Sequence, residues 1–239
     1  MSKISKRIQQ IKDNINSACA RAGRNPKEIK LVVVTKSAEI NDVKEIINMG
    51  FADLGENRVQ RLKKISAEME DFLKSKNASA VLSKINWHMI GHLQRNKVRY
   101  VLGIVSLIHS VDTLRLAEEI NATAAKLNLC PRVLMQINTS QEPQKYGVPV
   151  GAAIHLAAQI ETMPNLKLVG LMTMAPLTRD KDVVRACFSR AKELFIELKG
   201  EKMVGSQFSE LSMGMSSDYE IAVEEGCTIL RIGSAIFAG

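Results

Sequence analysis

Several features are scarce in these 239 residues. Aromatic side chains make up only 4% of the chain, so stacking platforms for single-stranded nucleic acid are few. No apolar run approaches the roughly 20 residues that a membrane span needs. The first fifteen residues (MSKISKRIQQIKDNI) are polar and amphipathic, which does not fit a secretory signal peptide. There are four cysteines, Cys19, Cys130, Cys187 and Cys227, with no C-x-x-C among them. Neither a zinc site nor a disulfide framework is expected from that spacing, and no metal site is expected elsewhere. Idle thiols in a reducing cytoplasm are the simpler reading.

The rest is ordinary globular composition, 46% apolar and 24% charged. The net charge is +8 and the pI about 9.4. A basic balance can signal nucleic acid. Here Lys and Arg are spread along the chain and mixed with Asp and Glu, and only residues 95–99 (RNKVR) are dense. A solvated basic surface, or a field that attracts a phosphorylated small molecule, fits better. No nucleic acid and no membrane is expected as a partner.

Helix and strand signals alternate along the whole chain. Ile4, Ile8, Ile11, Ile15 and Ala18 follow the rhythm of one helical face, and Gly23 and Pro26 stop it. Residues 31–35 (LVVVT) form a branched run without polar alternation, the mark of a strand buried on both faces. Asn41 is expected to cap a helix that runs to Met49. Further strands are expected at 51–55, 85–90, 107–111, 132–137, 166–174, 208–212 and 228–232. Helices are expected at 56–73, 93–101, 113–127 (capped by Asp112), 150–163, 180–198 and 218–225. The polar stretch 74–84 reads as a surface loop. That gives eight strands, each but the last followed by a helix, with one helix in front. Alternating units imply a parallel sheet with right-handed crossovers. Eight in this length predict an α/β fold, a single (β/α)8 TIM-type barrel with an extra N-terminal helix, as one domain over residues 1–239. An open doubly wound sheet is the alternative, but no Gly-rich dinucleotide fingerprint follows the first strand.

In such barrels the chemistry sits at the C-terminal ends of the strands. Lys36 directly continues the first buried strand. A lysine attacks a carbonyl when a buried site among cations lowers its pKa, but one at a strand end can also snorkel to solvent. The loops after strands seven and eight bear on that choice. Residues 212–216 (SMGMS) and the pair Gly233-Ser234 are small and hydroxyl-bearing, and barrel phosphate sites are built from those two loops. A lysine opposite a phosphate cup suits pyridoxal 5'-phosphate (PLP) or a phosphorylated aldehyde or ketone. The second option would make the chain a Schiff-base aldolase.

The segments VVVTKSAEI (32–40), GENRVQ (55–60), WHMIGHLQRNK (87–97), HSVD (109–112), INTSQEPQKYG (137–147), GLMTMAP (170–176), ELSMGMSSDYEIAVEEG (210–226) and RIGSAIF (231–237) carry a resemblance. Over nearly its full length the chain resembles the pyridoxal phosphate homeostasis proteins, whose fold is like the N-terminal barrel domain of alanine racemase. The resemblance implies PLP as cofactor, held as a Schiff base on Lys36. It implies Ser216, Gly233 and Ser234 near the phosphate with Ser212 nearby, Arg231 facing the pyridine nitrogen, and Asn57 and Met174 beside the ring. It also implies buffering of PLP and its delivery to apo PLP-dependent enzymes.

Arg231 bears on the chemistry. PLP enzymes that need an electron sink place a carboxylate at the ring nitrogen, whereas an arginine stays charged and only donates. The competing reading of Arg231 is a salt bridge on the rim. Racemases with this barrel add a β-rich domain and take a tyrosine from the partner subunit. This chain ends just after its eighth strand, so no such domain is expected, nor the arginine-containing tail of the family. No catalytic residue is assigned. His88 and His92 are expected to be packed, hydrogen-bonded histidines, and Tyr146 a loop residue. Met172, Met174, Met213 and Met215 are expected around a flat ring. The expected function is a monomeric cytoplasmic carrier in PLP homeostasis. A PLP-dependent amino-acid racemase or lyase of low activity is the alternative.

Overall fold

Runs of branched residues become strands here, and segments with an apolar repeat of three to four become helices. The computed structural model describes residues 2–75, 84–140, 142, 146–201 and 203–238. Its strands are β1 (Lys30–Val34), β2 (Asp53–Glu56), β3 (Asn86–Met89), β4 (Val105–Val111), β5 (Arg132–Asn138), the two-residue β6 (Val148–Pro149), β7 (Lys167–Met172), β8 (Glu210–Ser212) and β9 (Ile229–Ile232). Its helices are α1 (Lys3–Arg21), α2 (Ile40–Asn48), α3 (Val59–Ser75), α4 (Leu114–Lys126), α5 (Val150–Glu161), α6 (Lys181–Gly200), α7 (Tyr219–Glu224) and α8 (Ser234–Phe237).

The strands pair in parallel in the order β1-β2-β3-β4-β5-β7-β8-β9, and β9 pairs back to β1. That closes a ring of eight, the expected barrel, and rules out the open sheet. β6 only extends the end of β5, with Val148 opposite Ile137. Helix α1 buries Ile4, Ile8, Ile11 and Ile15 and packs on α7 and α8. Arg7 Nη1 donates to the carbonyl of Ile236 at 3.1 Å, and Asn14 Nδ2 donates to Tyr219 Oη at 2.7 Å. The extra helix thereby braces the last turn of the barrel.

Two apolar clusters divide the core. Val32, Leu107, Leu134, Val169, Met172 and Ile229 fill part of the inside of the ring. Their strand neighbours, such as Val33, Ile108, Val133, Leu168 and Leu230, belong to the larger cluster between strands and helices. Alternate residues of a strand face opposite sides, and both sides are buried.

Several local expectations are corrected. Glu39 caps α2 in place of Asn41, in a capping box with Asp42. Thr113 caps α4 by accepting from the Leu116 amide. Asp112 turns to His92 instead. The segment at 93–101 tightens into a 3-10 turn over Arg95–Tyr100. Glu56 is the last residue of β2 and opens no helix, because its carboxylate finds partners inside the wall. The last strand is followed by a helix after all, the short α8. The loop expected at 74–84 lies mostly outside the described residues, at 76–83, as do residues 141 and 143–145 after β5. No helix of the described residues is long and apolar enough to cross a membrane. Cys130 is exposed, and Cys19, Cys187 and Cys227 are buried.

Candidate cofactor-binding site

The C-terminal ends of the strands open into a cleft of about 490 Å³, a size suited to a small ligand. Lys36, Asn57, Met174, Ser216, Arg231, Gly233 and Ser234 all line it. Ser212 does not. It is fully buried at the end of β8 and faces Arg231 from below.

Of the two settings open to Lys36, buried or reaching solvent, the second is found, with its side chain exposed at the mouth. Its backbone is firmly held. Thr35 Oγ1 donates to Glu56 Oε1 at 2.6 Å. Arg61 Nη2 donates to the carbonyls of Thr35 at 3.0 Å and Ala38 at 2.6 Å, and its Nε donates to Glu56 Oε1 at 3.2 Å. One guanidinium thus ties down both ends of the turn that carries Lys36. Burial pushes the Glu56 carboxyl above its ordinary pKa, while the Thr35 hydroxyl and Arg61 pull the other way.

The opposite wall is built from the two glycine-containing loops. Ser216 Oγ accepts from the backbone N–H of Gly233 at 3.4 Å and of Ala235 at 3.1 Å. Gly214 has φ +91°, and a Cβ there would stand 2.5 Å from Ala222 Cβ. Only glycine takes that conformation without strain. A Cβ on Gly233 would stand 2.8 Å from the Val34 carbonyl oxygen. Asp218 fixes the first loop by accepting from the Met215 N–H at 2.5 Å. Burial raises its carboxyl pKa, opposed by that bond and by the charge of Arg231.

Arg231 is only 4% exposed. Its Nη1 donates to Ser212 Oγ at 2.6 Å and its Nη2 to the Thr173 carbonyl at 2.9 Å. Both partners are neutral, so the rim salt bridge is not what holds it. Burial lowers the guanidinium to about 10, with Asp218 and Cys227 acting against the drop. It remains a cation at neutral pH.

A third wall carries His92, whose ring stacks on Tyr146 at 4.1 Å between centroids. His92 Nδ1 lies 3.4 Å from Asp112 Oδ2. Burial raises the Asp112 carboxyl pKa against the pull of His92. Gln136 Nε2 donates to the Tyr146 carbonyl at 3.0 Å. His88 is packed and hydrogen-bonded, as expected, whereas His92 faces the cleft. The methionines split: Met174 and Met215 line the cleft, while Met172 and Met213 are core.

Glu56, Arg61, His109 and Gln136 were not singled out by the sequence. Glu56 closes strand β2 and Arg61 follows five residues later in α3, a carboxylate and a guanidinium at a strand end, which is the signal that could have found them. The donor set fits PLP. An amine stands at one side, hydroxyls and backbone N–H groups at the other, and a fixed cation lies near the floor.

The comparisons agree. The family model described as alanine racemase, N-terminal domain, matches residues 7–239. A pyridoxal phosphate homeostasis protein of Aquifex aeolicus is 40% identical over 97% of this chain and 96% of its own. A crystal structure of an unknown protein from Bifidobacterium adolescentis superposes with a TM-score of 0.91 at 34% identity, covering 98% of this chain and 94% of that one. PipY of Synechococcus elongatus, solved with PLP bound, has a TM-score of 0.79 at 30% identity, covering 94% of this chain and 99% of its own. With the barrel and the cleft both in place, the chain belongs to the alanine racemase N-terminal domain family and, within it, to the pyridoxal phosphate homeostasis proteins.

Proposed function

We propose that this protein binds PLP as a Schiff base on Lys36 and serves as a carrier in PLP homeostasis. The observation that carries the reading is the convergence of Lys36, the Ser216–Gly233–Ser234 wall and Arg231 on one cleft. PLP supplies an aldehyde for an amine, a phosphate for hydrogen-bond donors and a ring nitrogen for a single donor. In this chain Lys36 provides the amine, and the Glu56–Arg61 clamp orients it. Ser216, Ser234 and the N–H groups of Gly233 and Ala235 would hold the phosphate. Arg231 would donate to the ring nitrogen, and Asn57 and Met174 would border the ring.

An arginine does not give up its proton at neutral pH. A ring nitrogen facing it stays unprotonated, which supports holding the cofactor over turning over a substrate. The exposed Lys36 amine, reachable from solvent, supports loading and delivery to apo PLP-dependent enzymes. All eight strands of the closed ring come from this one stretch of chain, which supports a single domain. The scattered cysteine spacing, with no C-x-x-C, supports a cytoplasmic setting.

The test is borohydride reduction of PLP-loaded protein followed by mass spectrometry. A PLP adduct is expected on Lys36 and lost in Lys36→Ala. Adducts elsewhere with Lys36 free, or equal visible absorbance in Lys36→Ala, would overturn it. A second reading, a racemase or lyase of low activity, is favoured by one observation. His92, paired with Asp112, faces the same cleft as Lys36. Lys36-dependent exchange of an amino acid's α-proton into deuterated water would raise it above the carrier reading.

A further inference from the structure

Five polar side chains occupy the inside of the barrel, where an unpaired polar group is costly. They form an unbroken line. Arg231 Nη1 lies 2.6 Å from Ser212 Oγ. Ser212 Oγ lies 3.0 Å from His109 Nδ1. His109 Nε2 lies 2.9 Å from His88 Nδ1. His88 Nε2 lies 3.0 Å from Asp53 Oδ1. Asp53 is the first residue of β2, at the barrel floor, and Arg231 lines the cleft at the mouth. The line therefore runs through the ring from the β2–β3 side to the β8–β9 side.

We propose that Asp53, His88, His109 and Ser212 form a one-way hydrogen-bonded relay that positions Arg231 for the cofactor and ties it to the carboxylate at the floor. The direction follows from the donors. A guanidinium only donates, so Ser212 Oγ accepts from Arg231. The Ser212 hydrogen then goes to its other neighbour, His109 Nδ1. A neutral His109 must carry its hydrogen on Nε2 and donate it to His88 Nδ1. That places the His88 hydrogen on Nε2, aimed at Asp53. Every link has one consistent donor.

The surrounding charges favour the same assignment. Burial drives His109 well below the ordinary histidine pKa, and the charges of Arg231 and Lys30 act in the same direction. It stays neutral. Asp53 is opposed by burial, but the His88 bond, with the charge of Lys30 and the Asn86 amide, lowers its pKa overall. It stays ionised. Asp218 is the carboxylate that acts on Arg231 from the mouth side. The relay joins a fixed anion at one end to a fixed cation at the other, through neutral links that polarise one another. Its members are positioning residues, since only Arg231 faces the cleft.

The inference rests on the proposed PLP reading for its second test and not for its first. The first uses protein without PLP. Nitrogen-15 NMR of the ring nitrogens is expected to show both His109 and His88 with hydrogen on Nε2, and His109 unprotonated from pH 5 to 8. Hydrogen on His109 Nδ1, or titration of His109 in that range, would overturn the direction. The second compares His109→Leu with His109→Gln, which can still accept and donate. Where both fold by near-ultraviolet circular dichroism, His109→Leu is expected to weaken PLP binding about tenfold, the scale of one buried charge-assisted bond. His109→Gln is expected to recover most of that loss. Asp53→Asn keeps an acceptor for His88 and serves if the leucine variant does not fold. It is expected to shift the pH midpoint of the bound cofactor's visible absorbance. Unchanged affinity in His109→Leu, or an unmoved midpoint in Asp53→Asn, would overturn the relay. Absence of any PLP adduct on wild-type Lys36 would instead remove the proposed function and leave the NMR result standing.

Discussion

The two faces of the barrel strands live in different surroundings. Outward residues such as Val33, Met135, Leu211 and Leu230 meet the helices in a mainly apolar layer, which gives way to the buried polar groups Thr35, Glu56, Thr139 and Thr173 only toward the C-terminal rim. Inward residues begin as an apolar plug of Val32, Leu107, Leu134 and Ile229 and continue with His88, His109, Gln136, Ser212 and Arg231, all buried. On β9 the change happens within one side of one strand, from Ile229 to Arg231. The outer layer is held by area removed from water and tolerates any tightly packed apolar set. The inner layer depends on complete pairing of polar atoms. Stability should therefore reside mainly outside the ring, and ligand recognition mainly inside and above it.

The largest test of that division falls on the shell. Phe188 is fully buried on α6 and does not line the cleft. Phe188→Ala is expected to lower unfolding stability by about 3–5 kcal/mol, read by urea denaturation. PLP affinity measured well below the unfolding transition is expected to hold. A parallel loss of affinity would break the division. The next effect falls inside. Ser212→Ala leaves Arg231 Nη1 and His109 Nδ1 without their shared partner. About 1–3 kcal/mol of stability should go, the range for a stranded buried polar group. PLP affinity should fall with it, unlike the larger loss at Phe188.

How legible each layer was in the sequence follows from the same contrast. The shell wrote itself in the helix rhythm of Ile4, Ile8, Ile11 and Ile15 and in the branched run of β1, so the barrel was readable. Lys36, Ser216, Gly233 and Ser234 were readable as cleft-lining residues because they follow strand ends, whereas Arg231 was singled out by the family resemblance. The inner polar line was not. A strand buried on both faces shows no polar alternation to say which residues point inward. His88 therefore looked like an isolated packed histidine, and His109 drew no reading at all. Ser212 was grouped with the phosphate loop because it begins the same small-residue run. It is still strand, facing into the ring, while Ser216 four residues later has left it. Glu56 and Arg61 were hidden by the apolar rhythm of Val59, Leu62 and Ile65, which made the helix seem to begin at Glu56.

The smallest expected effect separates the floor of the barrel from its mouth by the sign of a pH dependence. At the floor, the His88 bond and nearby charges outweigh burial and hold Asp53 below its ordinary pKa. The unfolded chain then binds more protons. The stability that Asp53 contributes is present above the unfolded value of about 3.9 and is lost as pH falls through the folded one. At the mouth, burial outweighs the Met215 bond and Arg231 and raises Asp218. Here the folded chain binds more protons. The contribution is full below the unfolded value and is lost as pH rises through the folded one. Urea unfolding from pH 3 to 7 reads both. Asn at position 218 can still accept from the Met215 N–H, so Asp218→Asn should flatten the stability curve above about pH 4. Asp53→Asn should change it mainly below that point. Each shift should be on the order of 1 kcal/mol or less, one pKa unit being about 1.4 kcal/mol. If Asp218→Asn instead steepened the curve above pH 4, the mouth carboxylate would be paired as firmly as the floor one. The distinction between the paired polar line inside the ring and a partly open mouth would then fail.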